Sequence, residues 1–153
     1  MPPSARIAVR AIPGSTRWDD LLEGLRRRRG FWLLESTLVD GRLGRWSFAG
    51  CDPAFVLRAR GARLELDAER ALADRWPPPR LRWRGDPIAE LRAWLPRAPR
   101  DDGAEAGVPF AGGLVGWLGY ELAARIERVA FPAPDDLGFP ELRLALADRV
   151  LAL

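Results

Sequence analysis

Apolar positions along this chain switch between two spacings, and each switch predicts an element. Ile7 and Val9 alternate with polar neighbours and predict an opening strand before the Pro13-Gly14 turn. Trp18, Leu21, Leu22 and Leu25 then follow the i, i+3, i+4, i+7 spacing of one helix face, with Ser15 or Thr16 as the cap and Gly30 as the stop. Residues 31–34 form a short apolar strand. Asp40-Gly41 or Leu43-Gly44 supplies a turn, and residues 45–49 return as a second strand. Residues 55–60, a Gly61-Ala62 turn and residues 63–67 alternate as a hairpin with outward charges. These four strands imply a sheet.

Beyond them the prolines dictate the breaks. Trp76-Pro-Pro-Pro79 is a stiff surface connector, because consecutive prolines fix an extended backbone and cannot donate ladder hydrogen bonds. Asp86-Pro87 joins a capping acid to a proline at the first helical position, ahead of Ile88, Leu91 and Leu95 on one face; Pro96 ends that helix. Residues 97–107 are small, charged or helix-breaking and read as a mobile loop. A glycine-rich strand, a helix over residues 118–127 and a strand over residues 142–146 follow. The sequence closes on Val150-Leu-Ala-Leu153, apolar and strand-like, which we read as the front part of a longer protein, with a naturally short chain whose last strand is buried as the alternative.

Composition narrows the chemistry. At 153 residues the chain suits one domain, and 48% hydrophobic with 29% charged residues is globular. Every basic residue is arginine. With neither histidine nor lysine there is no imidazole base or ligand, no Schiff-base nucleophile and no phosphate-loop lysine. The lone cysteine, Cys51, excludes an internal disulfide and a cysteine zinc cluster; it reads as a small buried hydrophobe, with a reducing cytoplasm as the expected location. A net charge of +3 with acids interleaved does not make a nucleic-acid binder, and the run Arg26 to Arg29 reads as cations at a helix carboxyl end. The first residues lack a leader-like apolar core. The longest apolar run, residues 108–118, is about half the ~20 residues of a spanning helix, so neither membrane nor nucleic acid is an expected partner.

Two segments carry the candidate chemistry. In Pro109-Phe-Ala-Gly-Gly-Leu-Val-Gly-Trp-Leu-Gly-Tyr120 the glycines lack a following Gly-Lys-Ser/Thr and the dinucleotide spacing, so they read as closely approached backbone rather than a phosphate cradle. In Phe31-Trp-Leu-Leu-Glu-Ser36 a carboxylate and a hydroxyl follow an apolar strand, and buried polar groups need partners. A zwitterionic ligand would suit them: Glu35 could meet its ammonium, and backbone donors with Arg45 its carboxylate. A structural network built from the same groups is the equal alternative.

Leu33-Leu-Glu-Ser36, Gly44-Arg-Trp-Ser-Phe-Ala-Gly-Cys-Asp-Pro53, Pro109 to Glu121 and Asp135-Asp-Leu-Gly-Phe-Pro140, in that order, resemble the amino-terminal region of the chorismate-utilising enzymes. That family includes anthranilate synthase component I and aminodeoxychorismate (para-aminobenzoate) synthase component I. The resemblance spans nearly the whole chain. It implies an α+β fold, mostly antiparallel sheet packed sandwich-like with peripheral helices, with residues 1–153 as the amino-terminal domain. It also implies a separate chorismate-binding carboxy-terminal domain that uses Mg2+, and a glutamine amidotransferase partner that delivers ammonia. No catalytic residue is expected in this chain. A tryptophan-type pocket is implied at Ser36, Leu43, Gly44, Arg45 and Trp46, beside Glu35, with the rest of the site on the other domain. The bulk of Trp46 could alter or fill it.

The short span of about sixty residues between Arg45-Trp-Ser and Pro109, with Tyr120-Glu-Leu-Ala-Ala-Arg-Ile-Glu127, resembles the para-aminobenzoate branch more closely. The expected role is therefore support of chorismate amination in folate-precursor synthesis. The anthranilate branch of tryptophan synthesis, with its feedback site, and a stand-alone non-catalytic amino-acid-binding module are the alternatives.

Overall fold

The two spacings resolve into eight strands and two α-helices in the computed structural model, which describes residues 8–36, 44–68, 81–97, 107–130 and 135–153. All strand pairs are antiparallel. Strands β1 (Trp32–Leu34), β2 (Phe48–Gly50) and β8 (Leu151–Ala152) form one sheet in the order β1-β2-β8. Strands β3 (Phe55–Arg60), β4 (Arg63–Ala68), β5 (Arg82–Arg84), β6 (Gly113–Leu118) and β7 (Leu142–Ala147) form the other, in the order β5-β4-β3-β7-β6. The fold is α+β, as the resemblance implies.

The four strands expected to share one sheet divide between the two. The cause is the link at residues 51–54, where Asp52 takes φ +47 and turns the chain sharply between β2 and β3. The Asp52 amide donates to the Arg29 carbonyl at 2.7 Å, and the Ala54 amide donates to the Leu146 carbonyl at 3.1 Å. A second short link, residues 148–150, carries the chain back from β7 to β8, so the two sheets are stitched twice.

Helix α1 (Trp18–Arg26) buries Leu22, with Trp18, Leu21 and Leu25 half-buried beside it. Its expected caps do not act as such. The Thr16 amide is used in a turn to the Pro13 carbonyl, and the helix enters at Arg17 without a side-chain cap. Asp19 and Asp20 in the first turn face the positive end of the helix dipole instead. Val9 is exposed and outside any strand, because no neighbour pairs with it among the described residues; Ile7 lies outside them. At the other end the arginine run does more than complement carbonyls. Arg27 pairs with Glu23 at 2.7 Å, Arg28 with Asp52 at 2.5 Å and Arg29 with Asp67 at 3.6 Å, so the helix end is tied to the link between the sheets and to β4.

The main core lies on one face of the five-stranded sheet, where alternation along β3 and β4 turns Phe55, Leu57, Ala59, Leu64 and Leu66 inward. Helix α2 (Pro87–Trp94) covers it with Leu91 and Trp94, and Trp94 stacks on Trp83 with centroids 5.6 Å apart. Each fully buried large side chain contributes about 1.5–3 kcal/mol. The predicted start of α2 is present: Asp86 accepts from the Ala89 amide at 2.9 Å and Pro87 occupies the first turn. That amide is the main reason the Asp86 carboxyl sits below its usual range. A 3-10 turn, Leu95–Arg97, closes the helix.

The helix expected over residues 118–127 is a 3-10 helix, Tyr120–Arg125. Gly119 offers no capping side chain and only Leu122 is buried, so too little packing holds a full α-helix. Gly116 is required where it stands: φ is +157, and a Cβ there would lie 1.9 Å from the Arg143 carbonyl oxygen. Close backbone approach, as read from the sequence, is what the glycines on β6 provide. The triple-proline connector and nearly all of the loop at residues 97–107 lie outside the described residues.

Candidate functional site

β1 and β2 are short because they leave their ladder at the place where the sequence turns polar. The last paired residues are Leu34 and Phe48, and two positions further out on each segment stand Ser36 and Trp46. The sequence-predicted residues Glu35, Ser36, Gly44, Arg45 and Trp46 therefore gather at one end of the three-stranded sheet. Leu43 lies outside the described residues. On the far side of β2, Ser47 exchanges backbone hydrogen bonds with Leu153 at 2.8 and 2.9 Å, which fixes this end of β2.

Each polar group has a definite setting. Glu35 is exposed, and its Oε1 accepts from the Trp18 indole nitrogen at 3.3 Å, linking the start of α1 to the end of β1. Ser36 is half-buried and Arg45 exposed. Gly44 has φ +73, a left-handed turn into the second segment. The Trp46 ring stacks on Phe48, with centroids 6.1 Å apart and planes 11° from parallel.

The aromatic wall behind these groups includes residues that motif reading missed. Phe110, in the approach to β6, stands edge-on to Phe48 at 5.6 Å and to Trp32 at 6.1 Å. Trp32 can lie across the sheet because its ladder partner is Gly50, where a Cβ would come within 2.6 Å of the indole ring. Its Nε1 is buried with no hydrogen-bond partner among the described residues. Such a donor costs on the order of 1–3 kcal/mol unless an acceptor reaches it. Trp83 has the same feature inside the main core. The signal for Phe110 was its place beside Pro109 and ahead of the glycines, but nothing local says that it crosses to the other sheet.

Cys51 is half-buried, and its thiol is pushed up by burial and then by the Asp52 carboxylate, whose Oδ2 lies 3.6 Å away. It stays a thiol near neutral pH. Among the described residues no three His, Cys, Asp or Glu side chains converge as a metal-ligand set. No helix there is long and apolar enough to cross a membrane.

An α+β unit of two stitched antiparallel sheets, with an aromatic-walled strand end, is thus the class of protein that the geometry defines. No protein-family model matches the chain. Relatives named anthranilate synthase component 1 do. That of Mycolicibacterium smegmatis is 36% identical over 130 residues, covering 82% of this chain and 22% of the relative. That of Arthrobacter globiformis is 33% identical over 117 residues, 76% and 20% of the two chains. That of Pseudomonas aeruginosa is 30% identical over 128 residues, 78% and 23%. The chain spans about a fifth of the length of these relatives. The similarity supports the chorismate-utilising family that the four motifs resemble.

Proposed function

We propose that these residues are the amino-terminal region of an anthranilate synthase component 1, and that the outer end of β1 and β2 is its tryptophan-type ligand site. The observation that carries the reading is similarity over about four-fifths of the chain to proteins of that name. None of the relatives described above bears the aminodeoxychorismate name, so the anthranilate branch is preferred over the para-aminobenzoate branch expected from the short span between motifs. In this reading the chain supplies scaffold and ligand site. Chorismate, Mg2+ and ammonia from a glutamine amidotransferase belong to a further domain and a partner.

The site suits an aromatic amino acid by its chemistry. Trp46, Phe48, Phe110 and Trp32 offer aromatic faces and edges to an indole-sized ring, and the unpartnered Trp32 Nε1 offers a donor. Ser36 and Arg45 offer a hydroxyl and a cation to a carboxylate, and Glu35 an anion to an ammonium.

The test uses the polypeptide expressed from the complete reading frame that contains these 153 residues. It is incubated with chorismate, Mg2+ and ammonium, and the product is identified by chromatography and fluorescence. Anthranilate is the expected product. Aminodeoxychorismate would overturn the branch, and no turnover of chorismate would return the chain to the non-catalytic module.

A further inference from the structure

The face of the five-stranded sheet opposite α2 carries a row of side chains set by register. Arg82, Glu65, Arg58, Arg143 and Trp117 are successive ladder partners across β5, β4, β3, β7 and β6. Glu65 is already engaged, since Arg82 reaches it through Nε at 2.9 Å and Nη2 at 2.8 Å. Arg58 and Arg143 are therefore left directly opposite one another, an arrangement of like charges that ordinarily destabilises a sheet.

Neither cation is well neutralised. The carboxylate near Arg58 is Asp67, at 3.8 Å, and Asp67 also serves Arg29 at 3.6 Å. Arg143 has no ion pair among the described residues and lies instead over the Trp117 ring, 5.2 Å from its centroid. That ring is itself held, its Nε1 donating to the Pro140 carbonyl at 3.1 Å. Burial, with the charge of Arg58, pulls the Arg143 guanidinium below its usual range, as expected where a cation lacks an anion. Arg58 and Arg143 are both only half-buried, and Arg58 also lines an open groove of about 970 Å³ with Glu65, Asp67 and Arg82.

We infer that Arg58 and Arg143 form an oxyanion site, in which the oxygens of one carboxylate or phosphate group bridge the two guanidinium groups beside Trp117. An anion here removes the like-charge opposition and uses planar donors already held in place, which is what arginine does better than lysine. The oxyanion can come from a small molecule or from an acidic side chain of a polypeptide.

The experiment titrates inorganic phosphate, and separately a triglutamate peptide, by calorimetry at low chloride into the polypeptide expressed from the complete reading frame, with circular dichroism melts of each variant. The wild type is expected to bind, and Arg143→Gln and Arg58→Gln each to weaken binding at least tenfold, while Arg92→Gln, exposed on α2 across the sheet, stays within twofold. Arg143→Gln should melt no lower than wild type in chloride, because the opposition is gone. Should that variant fail to fold, Arg58→Gln carries the comparison. Tighter binding of phosphate identifies a small-molecule anion, and tighter binding of the peptide a polypeptide carboxylate. Absence of binding by both probes, or equal loss in Arg92→Gln, overturns the site.

Discussion

Phe110 meets Phe48 edge-on, with ring centroids 5.6 Å apart and planes at 77°, and this contact joins the two glycine-bearing segments of the chain. Phe48 belongs to β2 of the three-stranded sheet, whereas Phe110 leads into β6 of the five-stranded one. The aromatic wall of the candidate site is therefore also a tie between sheets, and its loss should be felt as stability. Phe110→Ala removes contacts with both Phe48 and Trp32. Because Phe110 is only half-buried, the expected cost is about 1.5–3 kcal/mol rather than the ~3–5 of a fully buried phenylalanine. Urea unfolding measures it, and Phe110→Leu should restore most of the loss. A cost near zero would mean that the ring does not tie the sheets.

Two glycines predict opposite outcomes for the same substitution. Gly116→Ala places a methyl group 1.9 Å from the Arg143 carbonyl oxygen, and backbone cannot step aside as a side chain can. A loss above about 3 kcal/mol, or failure to accumulate as folded protein, is expected. Gly24, inside α1, meets nothing within 4 Å, so Gly24→Ala should stabilise the chain by about 0.5–1 kcal/mol. Thermal melts of both variants decide; a well-folded Gly116→Ala protein would show that β6 does not approach β7 so closely.

Much of this was legible because local chemistry and tertiary structure agree. The hairpin of β3 and β4 alternates with period 2 and has one face on the core, so its residues could be read off directly. At Asp86-Pro87 the cap and the first helical position are both local matters, and both hold. The candidate ligand residues at the end of β1 and β2 could be placed together because a hairpin brings its own ends into register. What could not be read depends on distant partners. The assignment of β2 and β3 to different sheets hangs on the positive φ of Asp52, a residue type that also fits ordinary turns. The helix enters at Arg17, one residue past the expected Thr16 cap, and the Arg58–Arg143 opposition appears only once β7 is known to pair with β3.

Asp86 ties stability to pH in a predictable direction. Its carboxyl is lowered chiefly by the Ala89 amide, with smaller help from the Ile88 amide and the Arg125 cation; burial, the second-largest effect, opposes them. A depressed folded value means that its contribution is fully present above the ordinary carboxylate value of 3.8 and is lost as pH falls through the folded value. Asp86→Asn keeps a capping acceptor but not the charge, so it should flatten this part of the acid limb while costing little at neutral pH. Asp86→Ala should cost about 1 kcal/mol at neutral pH by removing the cap itself. Melting temperatures recorded between pH 6 and pH 2 separate the two; an acid limb identical in wild type and Asp86→Asn would show that the carboxylate is not linked to folding.

The ligand reading makes its own demand on Ser36 and Trp46. If the strand end holds tryptophan through its carboxylate, removing the Ser36 hydroxyl forfeits one hydrogen bond. Such a bond contributes about 1 kcal/mol, so Ser36→Ala should weaken binding roughly fivefold. Trp46 acts differently, because its ring is stacked on Phe48 and faces the same end of the sheet. Trp46→Ala opens space but removes an aromatic wall, and a looser site with at least tenfold weaker tryptophan binding is expected. Calorimetry on the polypeptide from the complete reading frame reads both, with phenylalanine as the competing ligand. Tighter binding in Trp46→Ala would mean that the indole fills the pocket rather than lining it, and absence of tryptophan binding in the wild type would remove the ligand site altogether.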